Sequence, residues 1–116
     1  MNRLRIRETA IQAAVIDHWR KLGEPDTLVA AIPNAGALGQ AGLTAGLFDL
    51  ICIGPRIPSR IGFIELKTDK GKASPAQDKF KALLLRHDIS YALTFGRDQP
   101  IEVLEAWHLV KHRTKK

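Results

Sequence analysis

Two carboxylates and a lysine lie close together in the pattern of this chain. Asp49 sits at the head of "LFDLICIG", and Glu65 and Lys67 lie within "RIGFIELKTD"; both segments read as strands, joined by a turn around Pro55 and Pro58. Side chains alternate along a strand, so Glu65 and Lys67 share one face while Ile64 and Leu66 take the other. Taken singly, each has an ordinary explanation: Asp49 as a hydrogen-bond acceptor at a strand end, Glu65 and Lys67 as a solvated ion pair. Together they predict a site for a hard divalent cation such as Mg²⁺, which prefers oxygen ligands and keeps several waters. A water made more acidic by that cation, and oriented or deprotonated by Lys67, would attack a phosphodiester while the cation stabilises charge building on the phosphoryl oxygens.

The elements that must position these groups follow from periodicity. From about Arg7 to Leu22, Ile11, Val15, Trp19 and Leu22 form one stripe at helical spacing, and Gly23 and Pro25 end it. "TLVAAIP" reads as a short strand. "NAGALGQAGLTAG" holds four glycines in thirteen residues and reads as a loop that approaches something closely. "SPAQDKFKALLLRHD" starts a helix with Ser74 as N-cap and Pro75 in the first position, and aligns Ala76, Phe80, Leu83, Leu84 and His87 on one face. "ISYALTFG" is a further strand, and "PIEVLEAWHLVKHR" a closing helix with basic residues in its last turn. The order α-β-β-β-α-β-α predicts an α/β fold with a mixed central sheet flanked by helices.

Length and composition narrow the class. At 116 residues, the chain has the size of one domain, 1–116, with a single core. Charged residues at 26% and hydrophobic ones at 45% fit a soluble globular protein, and no apolar stretch is long enough to span a bilayer. The start "MNRLRIRETAIQ" has no apolar segment of the kind that directs secretion, which predicts a cytoplasmic protein. Cys52 has no second cysteine to pair with, and in an apolar strand it reads as a small core residue. A net charge of +6 and a pI near 9.8 favour a polyanionic partner. The basic residues crowd the start (Arg3, Arg5, Arg7), the middle (Lys67, Lys70, Lys72) and the end (Lys111, Arg113, Lys115, Lys116).

Glu8 falls close to the centre of the first helix's apolar stripe, with Gln12 beside it. A carboxylate there is costly unless it is paired or bound to a cation. The other explanation is a first-turn acid interacting with the helix dipole at the exposed end of the core.

"FD" followed by "ELK" resembles the PD-(D/E)xK nuclease superfamily, with Phe48 where proline is usual. The wider text, "IPNAG", "AGLTAGLFDLICIG" and "IELKTDKGKASPAQ", resembles its VRR-NUC branch, whose members run Pro-Asn-Gly-Gly, Gly-x-x-x-Gly-x-Pro-Asp, Glu-x-Lys and Ser-Pro-x-Gln. The resemblance covers about residues 8 to 95. It implies a restriction-endonuclease-like core in which Asp49, Glu65 and the backbone carbonyl of Leu66 ligate Mg²⁺ or Mn²⁺ and Lys67 is the catalytic lysine. Gln77 matches the family's glutamine on the helix after the Glu-x-Lys strand, and Glu8 its acid on the first helix, an additional ligand acting through water. Gln12 is a neighbouring candidate. Asn34, Gly36, Gly42 and Gly46 would run beside the scissile phosphate, the glycines chiefly for conformation, and Lys70 and Lys72 would hold the DNA backbone. The carboxylate rather than its predecessor does the chemistry, so Phe48 is expected to matter little.

Standalone copies of this length, in bacteria and phages, are similar to Holliday-junction resolvases that act as dimers. The expectation is therefore a structure-selective endonuclease cutting four-way junctions as a homodimer, in a bacterial or phage-infected cell. One small domain offers one site, whereas symmetric cleavage needs two. The last helix with Trp107 and the apolar side of the first helix are candidate dimer surfaces. The alternatives are a flap or general duplex endonuclease and, from another class, a basic DNA-binding module without hydrolysis.

Overall fold

The strand Ile61–Lys67 pairs with Ser90–Phe95 from Gly62 to Lys67 but with Leu50–Ile53 only as far as Ile64, so Glu65 and Lys67 lie where the strand runs on past one of its two neighbours. The computed structural model describes residues 3–33 and 41–113, with side chains from residue 8 onward. The elements are α1 (Arg3–Leu22), β1 (Leu28–Ala31), β2 (Leu50–Ile53), β3 (Ile61–Lys67), α2 (Pro75–Arg86), β4 (Ser90–Phe95) and α3 (Asp98–Ala106), in the expected order. The sheet runs β1-β2-β3-β4, antiparallel through the first three strands and parallel between β3 and β4. A parallel neighbour needs a crossover, and α2 supplies it.

One face of this mixed sheet carries the larger core. Ile64 and Leu66 of β3, Leu50 and Cys52 of β2 and Val29 of β1 pack against Ile11 and Val15 of α1 and Ile101 and Leu104 of α3. Fully burying such a side chain contributes about 1.5–3 kcal/mol, so this layer dominates the fold's stability. On the other face lies a smaller, aromatic cluster. Phe80 of α2 meets Phe63 and Phe48 edge to face, with centroids 5.3 and 5.4 Å apart, and Phe48 also meets Tyr91 at 6.4 Å.

Four details depart from the sequence reading. α1 begins at Arg3, since neither glycine nor proline interrupts residues 3–22. α2 packs along a narrower stripe than expected: Phe80 and Leu84 turn inward, whereas Leu83 is 43% exposed and His87 is exposed. α3 stops at Ala106 and has no basic residue in its last turn. His108 takes a left-handed φ of 57°, and that break carries Leu109 and Val110 into the core, where Val110 bridges Gly23. Arg113 then folds back: its N–H and Nε donate to Glu105 Oε2 at 2.8 and 3.1 Å.

The fourth concerns the candidate dimer surfaces, which the chain itself covers in part. Ile11 and Val15 are core residues, and the Trp107 ring lies on Gly62, where a Cβ would fall 2.5 Å from Cζ3. Leu22, at the end of the α1 stripe, is exposed, and the other exposed large apolar residues lie elsewhere. Leu28, Ile53 and Ile61 face one another across β1, β2 and β3, and Leu83 and Leu85 lie on α2. No helix among the described residues is long and apolar enough to cross a membrane.

Candidate active site

The chemistry gathers where β3 runs out under the first turn of α2. Leu50 pairs with Ile64, so the next step of the same ladder sets Asp49 across from Glu65, on the face that α2 covers. Asp49 is held there from both sides of its strand. Its carbonyl accepts the Ile32 N–H at 2.8 Å, and its Oδ2 accepts the Leu66 N–H at 2.8 Å. The strand end acceptor expected of an aspartate is therefore real, and it fixes the carboxylate beside Glu65.

Glu65 is 2% exposed, an unusual burial for a carboxylate. Its Oε2 takes Gln77 Nε2 at 2.6 Å and lies 3.2 Å from Lys67 Nζ. Its backbone carbonyl accepts Thr94 Oγ1 at 2.8 Å from β4. Oε1 is buried and has no hydrogen-bond partner among the described residues. Burial first, then the neighbouring Asp49, push this carboxyl up to about 8, with Lys67 working in the opposite direction. An unpartnered, desolvated carboxylate oxygen facing a second carboxylate calls for positive charge. An oxygen donor set of this kind suits a hard divalent cation.

Lys67 is 8% exposed, and its stem lies against Gly71, where an added Cβ would come 3.1 Å from Lys67 Cδ. Its carbonyl accepts the Gly96 N–H at 2.9 Å, so the turn after β4 fixes its backbone. Gln77 arrives from α2 through a capping box: Ser74 Oγ accepts the Gln77 N–H at 3.1 Å and the Ser74 N–H reaches Gln77 Oε1 at 2.9 Å. Two glycines of the preceding loop have separable roles. Gly42 and Gly46 both have left-handed φ, 91° and 89°; a Cβ at Gly42 would meet nothing, whereas at Gly46 it would strike Ala76 in the first turn of α2.

The remaining described candidates are less deeply buried. Glu8 is half-buried on α1, and no group of three or more His, Cys, Asp or Glu that could hold a metal ion forms among the described residues, so Glu8 does not complete a three-acid cluster. Gln12 is likewise half-buried, and Lys70 and Lys72 are exposed on the segment between β3 and α2. Asn34 and Gly36 lie outside the described residues. A cavity of about 370 Å³ opens near the ends of β3 and β4, lined by Ala10, Ile11, Thr68, Asp69, Gly96 and Arg97 and by none of the four converging side chains. Cys52 is buried and its thiol is pushed up to about 12 by desolvation, which leaves it without nucleophilic character.

Sequence reasoning missed two supports. Thr94, which holds the Glu65 carbonyl, comes from a parallel neighbour and gives no local signal. Phe48 was expected to matter little, yet it is 2% exposed and anchors the aromatic cluster beside Asp49. The run of aromatics at 48, 63, 80 and 91 is visible in the chain, but only tertiary folding makes it a cluster.

Comparison with solved structures gives the fold. The chain is similar to a "VRR_NUC domain protein" with a TM-score of 0.73 and 24% identity, covering 86% of this chain and 86% of that one. It is also similar to a "VRR_NUC domain" with a TM-score of 0.62 and 21% identity, covering 85% of this chain and 95% of that one. The chain therefore has the VRR-NUC fold, a mixed four-stranded sheet with three helices. No family model matches its sequence, and no curated protein matches it either.

Proposed function

We propose that this protein is a metal-dependent endodeoxyribonuclease that hydrolyses phosphodiester bonds in branched DNA. The observation that carries the reading is the convergence of Asp49, Lys67 and Gln77 on a buried Glu65 whose Oε1 has no hydrogen-bond partner among the described residues. Asp49, Glu65 and the Leu66 carbonyl would hold Mg²⁺ or Mn²⁺, with Glu8 joining through a water. When bound, the cation supplies Lewis acidity toward the phosphoryl group and lowers the pKa of water. Lys67 orients the attacking water and offsets charge that builds on the phosphoryl oxygens. Gln77 keeps Glu65 in place, and burial under α2 excludes competing solvent from its Oε2. Lys70 and Lys72, exposed beside the site, hold the DNA backbone together with Asn34. The net charge of +6 adds nonspecific attraction for that backbone.

Within this reading, a four-way junction cut by a homodimer is the preferred substrate, because one site per chain supplies symmetric incision only when two copies act together. The protein works in the cytoplasm of a bacterial or phage-infected cell. The test is incubation with Mg²⁺ or Mn²⁺ and a labelled panel of four-way junction, flap, fork and linear duplex. Paired symmetric nicks in the junction are expected. Linear duplex cut as fast as junction would overturn the structure-selective reading in favour of a general duplex endonuclease. Binding without any cation-dependent product would leave a DNA-binding module.

A further inference from the structure

The side-chain amide of Gln77 has a donor end and an acceptor end of nearly equal shape, and the fold uses both. Oε1 accepts the Ser74 main-chain N–H at 2.9 Å, and Nε2 donates to Glu65 Oε2 at 2.6 Å. A main-chain N–H can only donate, and Glu65 Oε2, which already faces the donor-only ammonium of Lys67 at 3.2 Å, is an accepting oxygen. Turning the amide over would set a carbonyl oxygen against Glu65 and an NH₂ group against an N–H, so one orientation alone satisfies both neighbours.

We propose that Ser74 is a positioning residue of the site: its main-chain N–H holds Gln77 Oε1 and thereby commits the NH₂ group to Glu65. The N-cap geometry makes this possible. Ser74 has φ −80° and ψ 162°, and its Oγ takes the Gln77 N–H, so the hydroxyl and the amide lock each other across one turn. The consequence reaches the carboxylate. Glu65 Oε2 has two donors, Gln77 Nε2 and Lys67 Nζ at 3.2 Å, while Oε1 has none among the described residues. The capping box thus divides the two oxygens of Glu65: one is saturated by the protein and the other is kept for a ligand. A helix cap, whose usual effect is on stability alone, here sets the geometry of a buried carboxylate.

This inference rests on Asp49 and Glu65 as a cation site, and the experiment separates the two claims. Ser74→Ala and Ser74→Pro both delete the capping hydroxyl, but only the proline variant deletes the N–H, and a φ of −80° suits proline. Mn²⁺ is titrated calorimetrically into the metal-free full chain, with thermal melts alongside. Both variants should lose melting temperature. Mn²⁺ affinity should fall about tenfold in Ser74→Pro, the scale of one hydrogen bond to a charged group, and stay close to wild type in Ser74→Ala. Equal affinities in the two variants would overturn the proposal. If Ser74→Pro does not fold, or if the wild-type chain takes up no Mn²⁺, nuclear magnetic resonance of the metal-free wild type decides. The Gln77 NH₂ protons should be protected from exchange and coupled through the hydrogen bond to the Glu65 carboxyl carbon. Exchange at the rate of a free amide would overturn the proposal, whereas absent Mn²⁺ uptake with a protected amide would count against the cation reading alone.

Discussion

Asp49 stands across the β2–β3 ladder from Glu65, one step beyond the Leu50–Ile64 pair, and is tied to that strand through the Leu66 N–H at 2.8 Å. Two carboxylates held side by side, one of them fully buried, repel each other and are poorly solvated. Lys67 and Gln77 relieve Oε2 of Glu65 only. A proton, or a cation shared with Asp49, relieves the rest.

Replacing either acid should therefore separate stability from cation binding. Glu65→Gln is neutral without the proton that the metal-free wild type must take up on folding, so the metal-free variant should melt no lower than wild type at neutral pH. Asp49→Asn retains an acceptor for the Leu66 N–H, whereas Asp49→Ala leaves that N–H unpaired and should cost about 1–3 kcal/mol. Mn²⁺ should raise the melting temperature of wild type and of neither Glu65→Gln nor Asp49→Asn. An equal Mn²⁺ shift in all three, measured by differential scanning fluorimetry, would exclude these acids as the ligands.

The proton has its own signature. The Glu65 carboxyl is raised from 4.5 to about 8, chiefly by burial and then by Asp49. Between those values the folded chain keeps a proton that the unfolded chain has released, so folding stability is full below pH 4.5 and declines as pH climbs toward 8. In EDTA, wild type should lose stability relative to Glu65→Gln across this window, and Mn²⁺ should remove the decline by taking the proton's place. Parallel pH curves for the two proteins in EDTA would contradict the assignment.

Phe48 is where the sequence pattern and the packing disagree. Its ring is buried against Phe80 and Tyr91, so Phe48→Ala should cost about 3–5 kcal/mol in urea unfolding. Phe48→Pro, which restores the motif's usual residue, should also destabilise, because it too deletes the ring. A Phe48→Pro variant as stable as wild type would show that the aromatic cluster contributes little.

The returning C-terminal segment gives an acid-side prediction. Arg113, through its N–H first and then its guanidinium, holds the Glu105 carboxyl below its ordinary value of 4.5. A depressed carboxyl contributes stability above its unfolded value, lost as pH falls through the folded one. Arg113→Ala should melt below wild type at neutral pH, and the gap should narrow once the pH drops well below 4.5. The guanidinium is partly exposed, so the effect should be modest and should weaken in high salt.

Much of this was legible because local rules agreed. Alternation alone put Glu65 and Lys67 on one face, and Ser74 with Pro75 announced the start of α2, whereas Gln77 was singled out for the site by the family resemblance. Other features depend on pairing between distant segments. The Asp49 bond to the Leu66 N–H spans seventeen residues, and the Thr94 bond to the Glu65 carbonyl twenty-nine. The end of α3 escaped sequence reading because neither glycine nor proline follows Ala106 to mark a stop, and the left-handed turn at His108 is what diverts Leu109 and Val110 into the core. Leu83 misled for the opposite reason: it keeps helical spacing with Phe80 and Leu84, yet α2 meets the sheet along too narrow a line to cover it.

The most direct test of the central claim is the rate at which a labelled four-way junction is nicked in Mg²⁺ or Mn²⁺ by wild type, Asp49→Asn, Glu65→Gln and Lys67→Met, each first shown to be folded. Wild type should cut only when the cation is present, and each variant should lose at least about 100-fold in rate, the scale expected when a charge-stabilising group is removed, while still binding the junction. Cation-independent cutting, or variants that cut as fast as wild type, would contradict it.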